Sequence, residues 1–429
     1  MGRSGEGTGL GVGKAELLLP AGTPDKLKTA FHFGADAVYL GMKELSLRSY
    51  AGNFSLEELE WATGYAHERG KRIVVAVNVL AMEHELAAVR RAARVLGELG
   101  PDAVVISDPG VMQIFQSEAP GLALHLSTQQ SVTNSAAAAF WRARGIKRII
   151  LARELSLAQI SEVTANGGAE TEVFVHGAQC IAFSGRCFLS LHWAGENRDP
   201  RKGSCAQACR WPYGVALEDR RRPGQWNPLE EDERGTYFFD AKDLCALPLL
   251  DRLLETGVSA LKVEGRTRSE LYVGVVADVY RSALTLLAES GAQGLKESLG
   301  GLMGELQKLT NRGFSDHFLG GTQDSEGTYN RLGSPLDNRN DYLGRVQEAR
   351  DGMVVLQLKN ALRLGDRIEF CMPGMVRRAH TVDLLLDHDT EARLDLGRSG
   401  RTVMLLCGPG IDAGALVRLT RTTPAAYAE

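Results

Sequence analysis

The stretch FVHGAQCIAFSGRCFLS (174–190) carries Cys180 and Cys187, and RKGSCAQACRWPYG (201–214) carries Cys205 and Cys209. The whole chain has only seven cysteines. Clustered thiols invite three readings: a metal centre, a redox pair or a disulfide. Thiolate is a soft ligand that selects zinc or iron–sulfur. Closed zinc knuckles use tighter CxxC units, which this sequence lacks. Iron–sulfur clusters accept scattered ligands. Ser184 and Gly185 allow a turn that brings Cys180 and Cys187 to one centre. Either Cys205 or Cys209 can join them, and Cys245, in FFDAKDLCALPLL, can arrive from further along. Iron–sulfur, zinc and uncommitted or redox thiols all stay open on spacing alone. Cys371 and Cys407 stand apart and read as buried apolar fillers.

A second group of residues follows short apolar runs. The runs are ELLLP (16–20), DAVYLG (36–41), RIVVAVNV (72–79), DAVVIS (102–107), ALHLS (123–127), RIILA (148–152), EVFVHG (172–177) and ALKVEG (260–265). Near-continuous Val, Ile and Leu runs alternating with helical sequence suit parallel strands covered by helices. Eight such strands close a (β/α)8 barrel of the TIM type, and such barrels need roughly 250 residues. The open doubly wound alternative has no GxGxxG after its first strand. In a barrel, chemistry gathers just past the strand ends. There the sequence places Asn78, Asp108, STQQSVTN (127–134), Arg153, Glu154, His176, Glu264 and Arg266. Of these, Arg153, Glu154, His176, Glu264 and Arg266 are the candidate catalytic set. Each alone has a plainer role as a turn, cap, ion pair or core residue. Their shared placement on one rim is what argues for chemistry.

The expected domains are a barrel over 15–335 and a small antiparallel β-barrel over 340–425. An insertion at 178–258, between strands seven and eight, holds the clustered cysteines and Cys245. At about 80 residues it far exceeds ordinary connections of this kind. The helical stretch RSELYVGVVADVYRSALTLLAES (268–290) follows strand eight. YLGRVQEARDG, MVVLQLKN, LRLGDRIEFC, TVDLLLD and TVMLLC read as the strands of the second domain.

Composition is ordinary for a globular protein: 44% apolar, 24% charged and a net charge of -4. Nucleic-acid binding would therefore need a local basic patch. The first residues, MGRSGEGTGLGVGK, lack the apolar core of a signal peptide. No uncharged apolar run approaches the roughly 20 residues of a membrane span. The expectation is a cytoplasmic protein with no membrane partner, in a compartment where structural disulfides are rare.

The chain resembles peptidase family U32, the collagenase-like group, from residue 16 to about 420. The resemblance rests on EVFVHGAQCIAFSGRCFLS, ELLLPAG with GADAVYLG, HLSTQQSVTN, RIILARELS, CAQACRWPY and LKVEGRTRSELYV. Length and the short C-terminal β domain are most similar to a tRNA-hydroxylating bacterial branch of that family. That branch implies prephenate-dependent 5-hydroxylation of the wobble uridine in a tRNA anticodon loop. A protein or electron-transfer partner is a further implication. Relatives bind a [4Fe–4S] cluster through four cysteines, which by motif correspond to Cys180, Cys187, Cys205 and Cys245. Cys209 would lie beside the cluster, and zinc is the alternative metal. The other activities the family suggests are rRNA cytidine hydroxylation, proteolysis and a non-catalytic iron–sulfur RNA-binding accessory role. For proteolysis the sequence offers neither GxSxG nor HExxH, and only Cys180 with His176 as a cysteine–histidine pair. Arg153, Arg266 and Arg268 are candidates to neutralise carboxylates or phosphates. Trp211 and Tyr213, beside Arg210, are candidates to stack a base. Arg220, Arg221 and Arg222 form the main basic run, with Val376–Arg378 as a second contact.

Overall fold

A computed structural model describes residues 15–43, 53–180, 182–184, 186–187, 189–194, 205–210, 231–232, 235–236, 241–321 and 342–420. Trp211, Tyr213 and Arg220–Arg222 lie outside the described residues.

Seven parallel strands come first: β1 (Glu16–Pro20), β2 (Ala37–Gly41), β3 (Arg72–Val77), β4 (Ala103–Ile106), β5 (Ala123–Leu126), β6 (Ile146–Ile150) and β7 (Glu170–Ala178). Most of their residues are buried, which explains why the sequence shows continuous apolar runs rather than alternation. The pair β8 (Glu231–Asp232) and β9 (Gly235–Thr236) lies in the insertion, followed by β10 (Asp243–Cys245) and the eighth parallel strand, β11 (Ala260–Val263). β11 pairs with β1 on one side (Glu16 opposite Ala260) and with β7 on the other (Glu172 opposite Ala260), so the barrel closes. The expected eight strands are all present.

Helices α1 (Pro24–His32), α2 (Leu56–His67), α3 (Leu86–Leu99), α4 (Pro109–Glu118), α5 (Ser135–Arg142) and α6 (Leu157–Gly167) connect the strands. Local sequence starts them. Thr23 caps α1 with Pro24 in its first turn, Ser55 and Glu58 form a capping box on α2, and Ser156 with Gln159 does the same on α6. Helix α3 buries Val89, Ala92, Ala93 and Leu96, the i, i+3, i+4, i+7 stripe that faces a sheet. Short α7 (Leu189–Ala194) belongs to the insertion, and α8 (Leu250–Glu255) leads into β11.

Strand β10 adds to the sheet antiparallel to β7, with Cys245 opposite His176, and β12 (Phe314–Ser315) adds beyond it. The insertion thus returns to the barrel wall as an extra strand. Helix α9 (Glu270–Gln307), broken at Gly291, is long and apolar enough to cross a bilayer by composition. Its apolar window is 72% buried inside the protein, as in a core helix.

The C-terminal strands are β13 (Tyr342–Arg350), β14 (Met353–Gln357), β15 (Leu362–Arg363), β16 (Arg367–Met372), β17 (Val376–Thr381), β18 (Leu385–Asp387), β19 (Leu396–Gly397), β20 (Thr402–Leu406) and β21 (Leu416–Leu419). They form an antiparallel sheet in the order β17-β16-β21-β13-β14-β20-β18, with β15 and β19 paired separately. The expected closed barrel is corrected here to an open half-barrel. Among the described residues no pairing joins β17 to β18. β18 is short because Asp387 accepts hydrogen bonds from the Asp389 and Thr390 amides and turns the chain away. The sheet docks on α9 through buried ions. Asp278 accepts from the Gly374 amide (2.7 Å) and pairs with Arg377 (2.9 Å). Glu305 pairs with Arg377 (2.7 Å) and Arg418 (3.0 Å). Arg377 is therefore committed to the junction, and of the basic pair in Val376–Arg378 only Arg378 turns outward.

Candidate active site

The C-terminal ends of the barrel strands bring the polar residues named above onto one rim. Past β3, the Asn78 side-chain amide donates to Gln129 Oε1 (2.8 Å), and Ser107 Oγ donates to the Asn78 carbonyl (2.8 Å). Ser127 Oγ also donates to Gln129 Oε1 (3.1 Å), and Thr128 Oγ1 donates to the Leu151 carbonyl (3.0 Å). Gln130 Nε2 bonds the Ser107 carbonyl. One polar network thus spans the ends of β3 to β6. Asp108 caps α4, accepting from the Gly110 (2.7 Å) and Val111 (3.1 Å) amides, the turn role open to it from sequence.

Past β6, Arg153 lays its guanidinium 3.7 Å from the Phe174 ring centroid and donates from Nη1 to the Ala178 carbonyl (2.9 Å). Glu154 is half-buried, and burial raises its carboxyl above the usual range. Past β11, Glu264 is buried, and the Tyr39 hydroxyl lies within donating reach of both the Val263 carbonyl (3.0 Å) and Glu264 (3.2 Å). Arg266 is also buried, and its carbonyl accepts from Lys26 Nζ (3.2 Å). Arg268 is committed to structure: it pairs with Asp243 (3.0 Å) and donates to the Thr310 carbonyl (3.2 Å).

His176 sits deeper. Its ring packs 5.4–5.9 Å from those of Tyr272, Tyr280 and Phe314. Burial pushes it down to about 4, so it is neutral at physiological pH. Next to it Gly177 has φ +103, and a Cβ there would stand 2.4 Å from the Glu264 carbonyl oxygen. Only glycine lets the ends of β7 and β11 approach this closely.

Beneath the rim lies a charged layer that the strand pattern hid. Arg148 pairs with Glu16 (2.9 Å), Glu170 (2.9 Å) and Glu172 (3.4 Å), and Lys262 pairs with Glu172 (2.7 Å). Lys262 Nζ is 4.5 Å from the Tyr39 ring centroid, directly linking this layer to the ring whose hydroxyl reaches Glu264. Burial opposes the charge on Glu172, yet Lys262 and Arg148 hold its carboxyl below the usual range. His125, pushed down to about 3 by burial and then by Arg148, stays neutral. The available sequence signal was a charged residue inside each of several apolar strand runs.

The cysteines do not assemble. Among the described residues no group of three or more His, Cys, Asp or Glu side chains is placed to hold a metal ion, and all seven cysteines are described. The implied [4Fe–4S] site of Cys180, Cys187, Cys205 and Cys245, and the zinc alternative, are therefore corrected. The reason is clearest at Cys245. It faces inward on β10, 3.9 Å from the Tyr280 hydroxyl and 3.8 Å from Met303 Sδ. Burial pushes its thiol up to about 11, the reverse of what a ligating thiolate needs. Cys180 and Cys205 are instead exposed. Cys371 is buried and Cys407 packs against the C-terminal core, as expected of fillers.

Among the described residues, several buried polar atoms without hydrogen-bond partners lie at this rim. Asn78 Oδ1, Ser131 Oγ, Arg153 Nε and His176 Nδ1 lie at or just past the ends of β3, β5, β6 and β7. Buried polar groups are nearly always paired, so this group of atoms makes the rim the candidate site. Ser131 also holds φ +51, a strained conformation for a side-chain-bearing residue.

Residues 22–329 match the sequence profile of Peptidase family U32. The chain is 36% identical to tRNA hydroxylation protein P of Escherichia coli (strain K12), over 84% of this chain and 86% of that one. It is 35% identical to tRNA hydroxylation protein P1 of Bacillus subtilis (strain 168), over 88% of each. It is 33% identical to tRNA hydroxylation protein P of Haemophilus influenzae (strain ATCC 51907 / DSM 11121 / KW20 / Rd), over 84% and 86%. A TIM-type barrel with a polar, under-bonded rim and relatives of this kind together identify the chain as an enzyme of peptidase family U32, closely related to the tRNA hydroxylation proteins P.

Proposed function

We propose that this enzyme hydroxylates C5 of the wobble uridine in tRNA. The observation that carries the reading is the 36% identity to a tRNA hydroxylation protein across most of both chains. Replacing C5–H by C5–OH with water as the oxygen source releases two electrons and two protons. Side chains handle binding, orientation and the protons, and a two-electron acceptor outside the chain takes the electrons. The rim supplies those protein roles. Arg153 offers a cationic group for phosphate or carboxylate oxygens, and Glu154, with its raised carboxyl, is suited to proton transfer. Prephenate is the small-molecule partner in this proposal, and the cytoplasm is where it and tRNA meet.

Nucleoside mass spectrometry of tRNA from a strain lacking the gene tests the reading. 5-Hydroxyuridine should disappear and return when the chain is re-expressed, and a strain unable to make prephenate should lose it too. Unchanged tRNA with altered rRNA cytidine would move the substrate to rRNA. Hydrolysis of gelatin by the pure protein would restore the peptidase reading, which the aromatic packing of neutral His176 argues against.

A further inference from the structure

The Asn78–Gln129 pair keeps hydrogen-bonding capacity that its own contacts do not use. Its mutual hydrogen bond consumes one amide donor, from Asn78, and one amide acceptor, from Gln129. Gln129 Oε1 is also taken by Ser127 Oγ. What remains is the Asn78 side-chain oxygen, Oδ1, buried and without a partner among the described residues, and the Gln129 side-chain amide donor, for which no acceptor is found among them. If both amides are turned over, the pair still presents one acceptor and one donor. Asn78 is fixed from behind by Ser107, whose carbonyl is held in turn by Gln130. A donor–acceptor pair held this rigidly is preorganised for one hydrogen-bonding edge.

We propose that Asn78 and Gln129 read the edge of the target pyrimidine, the Asn78 oxygen accepting its N3–H and the Gln129 amide donating to the neighbouring carbonyl. The inference rests on the tRNA-uridine reading above and names the residues that would recognise the base. Amide side chains are used for base-edge recognition because they carry both hydrogen-bond roles at once. Uracil has N3–H beside a carbonyl. In the uridine seat cytosine puts an acceptor, N3, against the Asn78 oxygen, and it satisfies the pair only by shifting one position so that N4–H meets that oxygen. Filling an unpaired buried acceptor rewards the correct base and leaves the wrong one unsatisfied.

The test uses RNA hairpins that differ only at one loop position, carrying uridine, 3-methyluridine or cytidine. Binding to the full-length parent, Asn78→Leu and Gln129→Leu is measured by fluorescence anisotropy at fixed salt. The parent should prefer uridine over both alternatives by about tenfold. Both variants should bind all three hairpins alike, and Gln129, half-buried on a surface turn, provides a variant that does not disturb the strand. Equal affinities in the parent, or a preserved preference in either variant, would overturn the inference. Nucleoside mass spectrometry on cells expressing the parent separates the two ideas. A parent that forms no 5-hydroxyuridine yet keeps the hairpin preference removes the activity and leaves the base-reading pair.

Discussion

Two buried histidines set the acid limit of the barrel. His176 is held down to about 4 and His125 to about 3, both first by burial. An unfolded histidine titrates near 6.5. Below about pH 6.5 the unfolded chain therefore takes up protons that the folded chain refuses, and stability falls as pH drops toward 4. Each histidine contributes a slope of up to about 1.4 kcal/mol per pH unit. His176→Phe should accordingly lose less melting temperature than the parent between about pH 6.5 and 4.5. Parallel curves for the two proteins would mean that His176 takes up its proton while folded. At the neighbouring position, Gly177→Ala should be far more damaging than an ordinary glycine substitution. The new methyl group meets the Glu264 carbonyl and the residue keeps φ +103, so the β7 and β11 ends must separate. The expected result is a loss of about 2 kcal/mol or more in urea unfolding, together with loss of tRNA modification. A variant with parental stability and activity would show that the close approach is dispensable.

The junction between α9 and the C-terminal sheet combines an apolar seam, with Tyr342, Cys371 and Leu416 in the same core as α9, and an ionic latch. Burial works against the charge of Glu305, but Arg418, Lys308 and Arg377 hold its carboxyl down at about 2. Removing one member of such a cluster leaves buried charges uncompensated. Glu305→Ala should cost about 3 kcal/mol in urea unfolding. Lys308→Ala, which removes the half-exposed partner, should cost under about 1 kcal/mol. Similar losses for the two would show that the latch adds little. None of this was legible beforehand, because Asp278 and Glu305 meet Arg377 and Arg418 only after α9 and two distant strands pack together. The barrel strands were legible, since parallel strands covered on both faces must be continuously apolar. The Arg148–Glu172–Lys262 layer was not, although each residue sits inside one of those runs. Its pairing depends on β11 closing against β7, which no local pattern encodes. β17 was missed because its side chains are mostly exposed and mostly polar, and a sheet edge requires no apolar run. The rim residues were found because strand ends are identifiable once strands are. The cysteine centre was inferred from family motifs, and the inward turn of Cys245 against Tyr280 and Met303 is a tertiary fact.

At the scale of the whole molecule the proposed tRNA substrate raises the question of how a chain of net charge -4 would hold a polyanion. Attraction must come from a local patch, so tRNA affinity should fall steeply as rising salt weakens the drive from counterion release. Two regions are candidates from sequence. The first is the insertion, with RKGSC (201–205), CRWPYG (209–214) and Arg220, Arg221 and Arg222 in EDRRRPG (218–224). The second loses Arg377 to the α9 junction, which leaves Arg378, on the exposed edge strand β17 and bonded to the Pro409 carbonyl. The insertion leaves β7 after Ala178 and returns through β10 at Asp243, both at the C-terminal end of the barrel strands. Replacing Arg220, Arg221 and Arg222 together by alanine should weaken binding and flatten the log–log salt slope by roughly one unit for each phosphate no longer neutralised. Arg378→Ala should change the slope by about one unit at most. Filter binding across a salt series measures both. If the triple variant matches the parent in affinity and slope while Arg378→Ala does not, the RNA is held by the open half-barrel and reaches the rim from the C-terminal side.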